Sequence, residues 1–74
     1  MTHDQRYGSL LQTMRSMVFI TCLKHKTWGM AELIQTCKAK GFDMLPESVV
    51  KSCIKDCESN GWCEKSGKVW RSSL

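Results

Sequence analysis

Cysteines and lysines are the residues of this chain best suited to chemistry. Five cysteines, Cys22, Cys37, Cys53, Cys57 and Cys63, occur in 74 residues. Cys53-x3-Cys57-x5-Cys63, with His25 elsewhere, supplies the donor types that hold tetrahedral zinc. The spacing lacks the paired short knuckles of a zinc module, however. Cys22, Cys37, Cys53 and Cys57 also fall on apolar stripes at helical spacing, where a free thiol packs as a small hydrophobe. An odd number of cysteines cannot all pair within one chain, which argues against a secreted disulfide scaffold. The expectation is reduced core thiols with no metal and no cofactor. Cys63 stands near Lys65, a cation that favours a thiolate, but no histidine lies close in sequence to act as its base. There is no Ser-His-Asp set, no phosphate-cradling glycine loop and no pair of carboxylates on one face. The chain is not expected to be an enzyme.

The second chemical resource is positive charge. Eleven Lys and Arg against seven Asp and Glu give a formal net charge of +4, a lean towards anionic partners. A hydrophobic share of 42% and a charged share of 24% are ordinary for one small globular domain. The longest apolar run, Met17-Val18-Phe19-Ile20, is far too short to span a bilayer. The segment after Arg6 is interrupted by Gln12, Thr13, Arg15 and Ser16, so it forms no signal-peptide core. A cytoplasmic protein without a membrane partner is expected.

The elements that must position these groups follow from periodicity. A single domain over 1–74 is expected, with residues 1–6 frayed. From about residue 7 to 25, Leu10, Leu11, Met14, Met17, Val18 and Cys22 form a broad apolar stripe, predicting the first helix. Phe19 and Ile20 widen it beyond one face. Lys24-His25-Lys26-Thr27-Trp28 is a basic break. Met30, Leu33, Ile34 and Cys37 predict a second helix over 29–40, capped at Thr27 or Gly29 and stopped by Gly41. After Phe42-Asp43-Met44-Leu45, Pro46 suits the first position of a third helix over 46–59. There Val49, Val50, Cys53, Ile54 and Cys57 share one face, and Asn60-Gly61 signals the stop. Residues 62–71 read as a β-hairpin around Ser66-Gly67. Leu33, Ile34, Val50, Ile54, Trp62 and Val69 are expected in one core.

Helix, short strand, helix, turn, helix, hairpin is the element order of the winged helix-turn-helix superfamily. From Lys26 to Arg71 the chain resembles the winged helix module of small bacterial and phage transcription regulators. The matching pieces are Met30-Ala31-Glu32-Leu33-Ile34, Glu47-Ser48-Val49-Val50 and Glu58-Ser59-Asn60-Gly61-Trp62-Cys63-Glu64. The resemblance implies a mainly α fold of three helices plus a two-stranded wing, with a very short strand at Thr27-Trp28 pairing with that wing. It also implies double-stranded DNA as the partner. The third helix would read the major groove through Glu47, Ser48, Lys51, Ser52 and Lys55. Lys65, Ser66, Lys68 and Arg71 of the wing, and Lys26, Thr27 and Lys38 near the second helix, would contact the backbone.

The third-helix residues also support a different partner. Lys51 and Lys55 are outnumbered there by Glu47, Asp56 and Glu58, and no arginine is present. Carboxylates are repelled by phosphates. A protein-binding adaptor or inhibitor using the first and third helices is therefore the alternative expectation. Phe19 and Ile20 are the candidate partner or homodimer surface on the first helix.

Overall fold

The computed structural model describes the backbone of residues 3–74 and the side chains of residues 8–74. The order is α1 (His3–Lys24), β1 (Thr27–Trp28), α2 (Met30–Ala39), α3 (Glu47–Ser59), β2 (Cys63–Ser66) and β3 (Val69–Ser72). The protein is thus mainly helical, with three helices and a small three-stranded antiparallel sheet of order β1-β3-β2. The helix expected over 7–25 starts earlier, at His3, because residues 3–6 contain no proline or glycine to stop it. Met1 and Thr2, the rest of the expected frayed start, lie outside the described residues.

The helix stops at Gly41 and Gly61 use one motif. Gly41 has φ 69°. Its N–H donates to the Lys38 carbonyl (3.0 Å), and the Phe42 N–H donates to that of Cys37 (2.9 Å). Gly61 has φ 79°, with Gly61 N–H to Glu58 and Trp62 N–H to Cys57, both 3.0 Å. Both are Schellman closures, which a left-handed glycine permits without Cβ strain. At the other end of α2, Gly29 is the cap and its N–H donates to Glu32 Oε2 (2.8 Å). That bond holds the Glu32 carboxyl below its ordinary pKa. Pro46 is the cap of α3 rather than its first residue, and its carbonyl accepts from Val49 and Val50 (3.0 Å each).

The hairpin is shifted by one residue from the sequence expectation. Ser66 pairs with Val69, so Gly67-Lys68 forms the two-residue turn, with Gly67 at φ 66°. A glycine at positive φ in the first turn position is the type II′ pattern, whose twist suits antiparallel strands. Thr27–Trp28 does form a strand. Thr27 lies opposite Arg71 and Trp28 opposite Trp70, so β3 is paired on both sides.

The core is built from Met14, Met17, Val18 and Cys22 of α1, Trp28, Leu33 and Cys37, Val50, Cys53, Ile54 and Cys57 of α3, and Cys63 and Trp70. Trp28 and Trp70 stack with ring centroids 5.0 Å apart. All five cysteines are free and buried. Burial pushes the thiols of Cys57 and Cys63 from the ordinary 9.0 up to about 12. Of the expected core residues, Leu33, Val50 and Ile54 are buried and Trp62 packs half-buried against the core, whereas Ile34 is 37% exposed and Val69 is only half-buried. Thr36 takes the place on α2 that Ile34 was expected to fill. Its hydroxyl donates to the Glu32 carbonyl (3.0 Å), so burying it strands no polar atom. Thr21 of α1 does the same with Met17 (2.8 Å).

Candidate nucleic-acid interface

Because α3 turns Val50, Cys53, Ile54 and Cys57 inward, Lys51, Ser52 and Lys55 are forced onto its solvent face. The hairpin that follows approaches that face from one side. Successive strand residues point to opposite faces of a sheet, so Cys63, Lys65 and Trp70 share the face turned to the core and α3. Glu64, Arg71 and Thr27 share the other. The result is an open groove of about 560 Å³ between α3 and the hairpin, lined by Lys51, Ser52, Ile54, Lys55, Glu58, Lys65 and Trp70.

Within the groove Trp70 is the fixed point. Its indole Nε1 donates to Glu58 Oε1 at 2.7 Å. The ammonium of Lys65 lies 4.0 Å from the centre of the Trp70 ring, a cation–π contact. Among the described residues Lys55 has no carboxylate within ion-pair distance, and Lys51 reaches Glu47 at 3.2 Å, one turn back along α3. Both members of that pair are exposed, so it is screened and weak.

The carboxylates of α3 therefore have destinations that its sequence does not reveal. Glu47 pairs with Lys51 and Glu58 accepts from Trp70. Asp56 is turned to the opposite flank, where Arg15 Nη2 of α1 donates to its Oδ2 at 2.8 Å. That bond raises the Arg15 pKa further above its ordinary value. Arg15 and Asp56 line a smaller cleft of about 250 Å³ with Leu11, Ser48, Val49, Ser52 and Cys53.

Of the expected contact residues, Lys51, Ser52, Lys55 and Lys65 converge on the main groove. Ser48 lines the cleft beside it, and Ser52 borders both. Glu47 sits at the start of α3 beside a third, apolar groove formed with Met30, Ile34, Met44 and Leu45. Ser66 and Lys68 are exposed at and beside the hairpin turn. Arg71 does not join Lys65. It lies on the outer face of the sheet, 4.0 Å from Glu64 and opposite Thr27. Lys26 is exposed just before β1, where its carbonyl accepts from the Ser72 N–H (2.7 Å), and Lys38 is exposed on α2. Phe19 and Ile20 find partners within the fold. Phe19 packs on Trp62 with ring centroids 5.1 Å apart, and Ile20 packs on the core.

Sequence reasoning missed Glu58 and Trp70 as groove residues and Arg15 as the partner of Asp56. Only an acid at the end of a helix that lacks a basic residue in its last turn hinted at outside partners, since the dipole disfavours a carboxylate there. Among the described residues no cluster of three or more His, Cys, Asp or Glu could hold a metal ion. No described helix is long and apolar enough to cross a membrane. Comparison with protein-family models, with curated proteins and with solved structures found no match for this chain.

Proposed function

We propose that this chain is a duplex-DNA-binding protein of winged helix architecture acting as a small transcriptional regulator. In this reading α3 enters the major groove and the β2–β3 hairpin lies against the sugar-phosphate backbone. The observation that carries it is the groove between α3 and the hairpin, where Lys51, Lys55 and Lys65 converge while Asp56 is drawn off to Arg15. Phosphate binding needs cations that are not already neutralised and that share one surface. Among the described residues Lys55 and Lys65 meet both conditions, Ser48 and Ser52 add groups able to meet base edges, and Lys68 extends the basic surface at the turn. The element order, with Thr27–Trp28 paired to β3, supports the architecture.

The test is fluorescence anisotropy with a mixed-sequence duplex at several salt concentrations. Binding that weakens steeply with salt, with a slope lowered by about one unit on Lys55→Ala, supports the reading. Absence of duplex binding at low salt defeats it.

A second reading, a protein-binding module, is favoured by a different surface. Ile34 stands 37% exposed beside Met30, Met44 and Leu45, in an apolar groove of about 310 Å³ whose lining residues include no lysine. Salt-insensitive association abolished by Ile34→Ser would favour it.

A further inference from the structure

Glu58 is an anomaly in a groove meant for anions. It is a half-buried carboxylate among Lys51, Lys55 and Lys65, and simple electrostatics makes it a liability. Its contact points to another role. Glu58 Oε1 accepts from the indole N–H of Trp70, 12 residues away on β3, at 2.7 Å. The bond joins α3 to the hairpin side chain to side chain. Trp70 is 6% exposed and is stacked on Trp28, so its ring has little freedom once its edge is held. Lys65, directly opposite Trp70 in the β2–β3 register, rests its ammonium 4.0 Å from that ring. Carboxylate, indole and ammonium thus form one chain of contacts from α3 to β2.

We propose that Glu58 is a positioning residue for anion binding: through Trp70 it fixes Lys65 inside the groove, facing Lys51 and Lys55. The inference rests on the DNA reading above, because the ligand it serves is a backbone phosphate. Lysine is a flexible four-carbon chain, and its ammonium loses rotamer freedom when it docks. A lysine already lodged on an aromatic face has lost part of that freedom beforehand, which favours binding. The charge of Glu58 opposes this gain, and its oxygen creates it.

Those two contributions separate in a pair of variants. Glu58→Gln keeps an oxygen able to accept from Trp70 but removes the charge. Glu58→Leu removes both. If charge alone mattered, both variants would bind duplex DNA more tightly than the parent. The positioning role requires opposite signs: Glu58→Gln about two- to fivefold tighter at low salt, Glu58→Leu about three- to tenfold weaker.

A second readout needs no DNA. In the free parent protein the Lys65 ammonium lies 4.0 Å from the centre of the Trp70 ring, so the ring current should shift the neighbouring ε-methylene protons upfield in the NMR spectrum. That shift should persist in Glu58→Gln and collapse in Glu58→Leu, with the amide spectrum of the α1–α2 core unchanged as the check on folding. Tighter DNA binding by Glu58→Leu, or a Lys65 shift unaltered by it, overturns the proposal. A parent that binds no duplex removes the DNA reading and this inference with it. The free-protein shifts then still tell that failure from an absent Glu58–Trp70–Lys65 linkage.

Discussion

The two flanks of α3 differ in how their charge is resolved. On the flank facing α1, Asp56 meets Arg15 at 2.8 Å, so the pair is closed on itself. On the flank facing the hairpin, Lys51, Lys55 and Lys65 gather around a groove whose one lining carboxylate among the described residues, Glu58, is bonded to an indole rather than to a lysine. The formal charge of a helix therefore says little about the surface a partner meets. Two lysines against three acids looks repulsive to DNA in sequence, yet Asp56 pairs with Arg15 on the other flank and Glu58 accepts from Trp70, leaving Glu47 exposed beside Lys51. What matters is which charges remain uncompensated on a shared surface.

The largest expected effect comes from emptying the inward face of α3. Ile54 is fully buried and also lines the main groove. Ile54→Ala should lower stability by about 2–5 kcal/mol in urea unfolding. Ile34→Ala on the exposed side of α2 should cost about 1 kcal/mol or less. Equal losses at the two positions would mean that the helix faces are assigned wrongly.

Next in size is the lysine flank itself. Replacing Lys51, Lys55 and Lys65 together by alanine should weaken duplex binding about 100-fold and reduce the salt slope by about three units. Replacing Arg71, on the outer face with Glu64, should have a far smaller effect in the same titration. The resemblance had grouped Arg71 with Lys65, and comparable losses would restore that grouping.

The buried thiols at the end of α3 and the start of β2 should reveal themselves in alkali. Folding raises the Cys57 and Cys63 pKa values to about 12 from the ordinary 9.0, so the native protein keeps protons that the unfolded chain releases. Stability from this source is complete below about pH 9 and is lost progressively as pH rises towards 12. Urea midpoints across that range should fall, and the fall should diminish in Cys57→Ala. Thiol reagents at neutral pH should label these two residues only after denaturation.

The smallest effect sharpens the comparison most. Arg15 and Asp56 are each about half exposed, at 40% and 55%. Breaking the pair with Arg15→Ala should therefore cost only about 0.2–1 kcal/mol of stability. It also frees a carboxylate on α3, which should weaken DNA binding about two- to threefold. Adding Asp56→Asn should restore the affinity. No restoration would show that the α1 flank does not bear on binding.

Much of the framework was legible because its signals are local. Gly41 and Gly61 sit next to the turns they close, Pro46 sits at the start of its helix, and alternation around Gly67 marks the hairpin to within one residue. The inward face of α3 followed from spacing alone. The site was legible only as a set of residue types. Glu58 finds Trp70 across 12 residues and Arg15 finds Asp56 across 41, and no periodicity encodes such pairs. The exchange of Ile34 for Thr36 was hidden for another reason. Hydropathy counts a threonine hydroxyl as a cost, whereas a helix can satisfy it with its own carbonyl.

The central claim is that the α3–hairpin groove is a DNA-binding surface, and an NMR titration of the full chain with mixed-sequence duplex tests it most directly. The amides of Lys51, Ser52, Lys55 and Lys65 and the Trp70 indole N–H should shift together, and the shifts should vanish at high salt. Shifts confined to Met30, Ile34, Met44 and Leu45, or none at low salt, would contradict it.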